Sequence, residues 1–200
     1  MWSLQLEADW EVEVGQDAPV IDAAWAGFVD LRRAPERVLE IAEAAAFQPL
    51  SGLLLALNAE GSPVWTAKCD LWEAEDATST GIEPESGATA GEAGQQMALA
   101  CYVDVLPVEG RVFAHWQQAE AMCREWVARL DAAAARRCRI DLVVRQALAG
   151  GAEGFGITAY LAGAGRDRAL AAEALAAAMT AFSGAIRGQA TPAPDASQIQ

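Results

Sequence analysis

A single histidine, His115, and four cysteines, Cys69, Cys101, Cys123 and Cys138, with no C-x-x-C pair among them, leave little from which to build a Cys/His zinc cluster. No metal and no cofactor is expected. The spacing predicts Cys69, Cys101 and Cys123 on buried faces, as reduced thiols that act as small hydrophobes. Long apolar runs are missing too. The alanine-rich stretch after Ala169 is broken by Glu173, and nothing approaches the roughly 20 residues that a spanning helix needs. The opening residues, Met1 to Glu7, have no basic segment, apolar core or small-residue cleavage site, so no secretory signal is expected and the expected address is cytoplasmic.

Positive charge is scarce. The 200 residues hold 14 Lys+Arg against 28 Asp+Glu, a formal charge of −14. Residues 1–100 carry 18 acids and 4 bases, residues 101–200 carry 10 of each, so the whole excess lies in the first half. An acid-rich surface repels phosphate backbones and anionic lipid, which argues against nucleic-acid and membrane partners. The other classes of residue are ordinary: 53% hydrophobic and 21% charged describe a chain able to bury a core, as one large domain or two small ones.

Alternation and helical periodicity divide the chain. Trp2 to Val14 alternates without a break, with an acidic outer side at Glu7, Asp9, Glu11 and Glu13, which predicts a half-buried strand. Ala26–Leu31 reads as a second strand, although Ile21, Trp25 and Phe28 would also suit one helical face. Pro35 is suited to start a helix running to about Ala46, and Pro49 a shorter one with Leu50, Leu53, Leu54 and Leu57 as its stripe. Ser62–Glu73 is a third strand, with Val64, Thr66, Lys68, Asp70 and Trp72 on one side. Residues 74–96 lack periodicity and read as a flexible acidic loop. Met97–Leu106 is a fourth strand, and Val112 to about Ala134 a helix with Phe113, Trp116, Cys123, Trp126, Val127 and Leu130 on one face. Cys138–Leu148 and Gly154–Gly163 form a hairpin across Gly150-Gly151. A last helix starts near Asp167, buries Leu170, Ala171, Leu175, Ala178, Met179, Phe182 and Ile186, and ends near Gly188, before a disordered tail at 189–200.

These elements repeat as strand-strand-helix, with faint support in the sequence. Phe28–Val38 lines up with Tyr102–Val112, 74 residues on, and the third copy shares the Gly165-Arg166 step. The expected organisation is a first unit over 1–61 with an extra short helix, then two further units over 62–188 packed as one sheet. The expected fold class is α+β, a mainly antiparallel sheet with helices on one face. The opposite face would then be open, carrying Lys68, Asp70, Trp72, Tyr102, Asp104, Arg139, Asp141, Arg145, Thr158 and Tyr160.

That face holds the candidate chemistry. Lys68 is the only lysine and lies within a strand, where it either binds an anion or forms a Schiff base with help from Asp70, or simply pairs with a cross-strand acid such as Asp104. Asp70, Asp104 and Asp141 share the face and would hold a proton or a divalent ion between them, unless Arg139 and Arg145 take them as ion pairs. His115, near a helix start with no nucleophile beside it, reads as structural or exposed. Gly163-Ala164-Gly165-Arg166-Asp167 would suit a phosphate, but a strand-to-helix turn capped by Asp167 explains the same residues. Trp72, Tyr102 and Tyr160 beside Arg and Asp look like a protein contact.

With no catalytic motif in view, the expected function is association, as a homodimer or as an adaptor or chaperone-like partner of a basic protein. The alternative is a small-molecule enzyme or ligand-binding domain, with Lys68, Asp70, Asp104 and Tyr160 lining a site and Arg145 holding an anion. The two differ in shape: association needs a flat open surface, ligand binding a recess.

Overall fold

The computed structural model describes residues 3–8, 20–74, 97–130 and 137–188. The acidic strand side beyond Ala8, the acidic loop at 75–96, the end of the long helix near Ala134 and the tail at 189–200 lie outside the described residues.

The chain folds as α+β around one mixed sheet. β5 (Cys138–Ala149) and β6 (Ala152–Gly165) form a hairpin through Gly150 and Gly151, whose φ values of 59° and 82° suit a two-residue turn with left-handed backbone at both positions. β4 (Met97–Pro107) pairs antiparallel with β6, and β3 (Val64–Ala74) antiparallel with β4. On the far side of β5 lie β1 (Ser3–Ala8) and the two-residue β2 (Ile21–Asp22), one after the other and both parallel to it. The order is therefore β1-β5-β6-β4-β3 with β2 beside β5.

This corrects the expectation of a mainly antiparallel sheet with helices on one face. β1 and β2 do not pair with each other as a hairpin would; both cover the same edge of β5. The predicted strand at 26–31 is absent, because the chain turns away after Asp22 and crosses toward the opposite edge. There the Trp25 indole Nε1 donates to the Ala67 carbonyl of β3 at 2.9 Å, tying the two edges together. The sheet is thus nearly barrel-shaped.

The helices follow the predicted order with two breaks. The expected helix at 35–46 divides at Ile41 into a 3-10 turn, Pro35–Glu40, and α1 (Ala42–Ala46). α2 (Gln48–Leu57) buries Leu50, Leu53, Leu54 and Leu57 as its spacing requires. The expected helix from Val112 breaks at the exposed His115 into α3 (Gly110–Ala114) and α4 (Trp116–Leu130). The break lets Phe113 join Ile21, Leu106 and Ala147 in a separate cluster, while Cys123, Trp126 and Leu130 join the main core. Helical side chains are therefore not confined to one face.

α5 (Arg168–Arg187) starts where the Leu170 N–H donates to the Asp167 carboxylate at 2.9 Å, and ends at Gly188 with φ 68°. Its mean hydropathy of 1.5 over a membrane-span length corrects the expectation that no segment approaches one. Leu175, Met179, Phe182 and Ile186 are buried in the core against the sheet. Gly163 and Gly165 of β6 admit it: a methyl at Gly163 would lie 2.7 Å from the Ala171 carbonyl oxygen, and one at Gly165 2.6 Å from the Ala171 nitrogen. Those glycines serve helix packing, which accounts for the Gly163–Asp167 motif without a phosphate.

Candidate functional site

Alternation along β3 would put Val64 and Thr66 on the same side as Lys68. It does not, because the register slips between Thr66 and Lys68, pairing Thr66 with Val105 but Lys68 with Asp104. Such a bulge turns the strand over by one residue. Val64 lies in the main core and Thr66 is buried, whereas Lys68 now shares a face with Asp104. Asn58, at the end of α2, holds the bulge: its Oδ1 accepts from the Thr66 N–H at 3.2 Å and its Nδ2 donates to Thr66 Oγ1 at 2.6 Å.

The segment after β2 roofs part of this face. Ile21 descends onto Gly156, where a methyl would lie 2.8 Å from its Cδ1, so only glycine in β6 leaves the room. Trp25 is anchored on Ala67, with Lys68 Nζ 5.9 Å from its ring centre. The expected uncovered face is thus a recess of about 260 Å³, with Val20, Ile21, Asp22 and Trp25 on one side and residues of β3 to β6 on the other.

The sequence-selected residues distribute unequally. Lys68, Tyr102, Asp104, Arg145 and Tyr160 line the recess, joined by Thr158. Trp72 and Asp141 lie one step along the same face, in an adjoining recess that Tyr160 shares. Asp70 is exposed on β3, accepts from the Leu71 N–H at 2.8 Å and lines neither. Trp25, Asp22 and Ile21 were missed as site residues; the apolar spacing of Ile21, Trp25 and Phe28 was their trace in the sequence. Among the described residues no cluster of metal-ligating side chains occurs, so Asp70, Asp104 and Asp141 are not brought together.

Asp104 is the centre of the site. It is 9% exposed, and its Oδ1 accepts from the Thr158 hydroxyl at 2.6 Å. Burial lifts its carboxyl above the ordinary range, while the Thr158 hydrogen bond and the charges of Arg145 and Lys68 pull it down. Burial likewise raises the Tyr102 phenol, opposed by the nearby Lys68 ammonium. Arg145 Nη2 stands 3.5 Å from the Tyr160 hydroxyl, and the Tyr102 and Tyr160 rings are 6.1 Å apart at 57°. A buried acid flanked by two cations and two phenols can bind an anion and orient a polar group beside it.

The raised carboxyl has a sign. A folded state that holds its proton more tightly than the unfolded one loses stability as pH climbs from the ordinary carboxylate range through the raised value. Asn at 104 keeps an acceptor for Thr158 and removes that loss. Urea unfolding of Asp104→Asn should show it more stable than wild type at pH 7, with the advantage shrinking toward pH 4; a pH-independent difference would refute the assignment.

Compared with protein-family models, curated proteins and solved structures, the chain matches none.

Proposed function

We propose that the protein binds a small anionic molecule in the recess beneath residues 20–25. The observation that carries this is shape joined to charge: a cavity of about 260 Å³, roofed by the chain's own residues, with Lys68 and Arg145 at a buried Asp104–Thr158 pair. Its volume lies just under the ~300–1,000 Å³ of common ligand pockets, which suits a compact ligand group. Lys68 and Arg145 take the anion, Asp104 and Thr158 orient a neighbouring polar group, and the Trp25 and Tyr102 rings take a flat or apolar part. All four cysteines are free, which fits a reducing, cytoplasmic setting.

Isothermal titration with acetate, decanoate and phenyl phosphate tests this. At least one should bind to wild type, and Lys68→Ala should weaken it roughly tenfold or more, the worth of one charge-assisted hydrogen bond. Because Lys68 is exposed, the melting temperature should stay nearly unchanged. An unchanged titration curve would sink the proposal.

Association through the same face is the second reading, favoured by Trp72, which is 39% exposed and 6.3 Å from Tyr102. Light scattering on wild type and Trp72→Ala/Tyr102→Ala separates the two. A dimer abolished by the double variant would put this face in an interface; a monomer in both cases would leave it to ligands.

A further inference from the structure

The recess under residues 20–25 is continued along the sheet. A second cavity, of about 200 Å³, is lined by Trp72, Ala100, Ala162, Arg139 and Asp141, and Tyr160 belongs to both. The Trp72, Tyr102 and Tyr160 rings follow one another at 6.3 and 6.1 Å across β3, β4 and β6, and the paired Tyr102 and Tyr160 stand between the two cavities. The Asp104–Thr158 pair marks the first cavity and the Ala100–Ala162 pair the second. Four residues of β4 separate them, about 13 Å at ~3.3 Å per residue.

The two ends ask for different groups. The first presents Lys68 and Arg145. In the second, Asp141 Oδ2 accepts from Arg139 Nε at 2.6 Å, while Asp141 Oδ1 is shut off from water and has no hydrogen-bond partner among the described residues. A buried acceptor left unpaired is destabilising and stands out in a native fold. Asp141 itself lines the second cavity, so a ligand seated there is the available source of a further donor to this carboxylate. Arg139 already balances the charge of Asp141 and repels an ammonium, so the fitting donor is neutral. The floor of the second cavity is apolar, with methyl side chains at Ala100 and Ala162 leaving depth for a chain or ring.

We propose that the two cavities form one bipartite site for an elongated amphiphilic acid. Its anionic head sits at Lys68 and Arg145, its apolar middle runs along the tyrosines, and a hydroxyl or amide N–H at its far end donates to Asp141. This rests on the reading of the first cavity as an anion site.

The test is isothermal titration of ω-hydroxydecanoate against decanoate, two acids of equal length that differ in the terminal donor. On wild type the hydroxy acid should bind at least tenfold tighter. Asp141→Ala should erase that preference while decanoate binding persists, and Lys68→Ala should weaken both acids. Equal affinities on wild type with Lys68 dependence intact, or a preference that survives Asp141→Ala, would overturn the bipartite site and leave the anion site standing. Failure of both acids to bind would overturn the bipartite site and leave the anion site to acetate and phenyl phosphate; binding indifferent to Lys68→Ala would overturn both. The wild-type comparison needs no variant, so it decides even if Asp141→Ala folds poorly.

Discussion

Trp126→Ala should cost about 3–5 kcal/mol of folding stability, the range for removing a large aromatic side chain from a packed core. Trp126 is 1% exposed in α4 and meets Phe182 of α5 edge to face, with ring centres 6.0 Å apart and planes at 86°. That geometry places the edge of one ring on the face of the other, a contact worth about 0.5–1.5 kcal/mol beyond burial. Cys123 and Leu130 flank it in the same core, and neither is large enough to refill the space. By contrast Trp72, also in a regular element, is 39% exposed, and its truncation should change stability far less. Urea denaturation of both variants measures the difference. Near-equal midpoints would mean that α4 does not pack on α5 as described.

Gly163→Ala should cost about 3 kcal/mol, at the upper end for a group forced into filled space. The glycine sits in β6 directly under α5, where an added methyl would collide with the Leu175 nitrogen and lie 2.7 Å from the Ala171 oxygen and Ala174 carbonyl carbon. Those atoms belong to helix backbone, which cannot swing aside as a side-chain tip can. α5 would have to lift from the sheet, loosening Leu175, Phe182 and Met179 together. Gly163 has no positive φ, so the loss comes from contact alone and not from backbone strain. A denaturant midpoint equal to wild type would show that helix and strand are further apart than the structure has them.

The candidate site illustrates how far local pattern reaches. Period-two alternation on β4, β5 and β6 was enough to bring Tyr102, Asp104, Arg145 and Tyr160 to one face, because a strand turns successive side chains to opposite sides wherever it goes. It failed on β3, where Val64 and Thr66 were grouped with Lys68. A bulge costs a strand one residue of register, and nothing in the run Val64–Lys68 announces it. Its support comes from Asn58, through hydrogen bonds to the Thr66 backbone and hydroxyl. The roof was less legible still. Residues 20–28 have neither clean alternation nor a full helical stripe, since Ile21 is seated by Gly156 and Trp25 by Ala67, both far along the chain.

What the amino-acid sequence determined by itself was the set of elements and the side each residue shows. Leu50, Leu53, Leu54 and Leu57 make α2 at their spacing, the Gly150-Gly151 pair makes the hairpin, and Asp167 and Gly188 bound α5. These are agreements among near neighbours, and the chain cannot avoid expressing them. Only the tertiary structure decided that β1 and β2 run parallel to β5, that the sheet closes toward its own edge, and that a roof turns an expected open face into a recess. Each of those depends on which distant surfaces meet, and strand pairing, bulges and docked segments are chosen by the free energy of those long-range contacts, which no local period encodes.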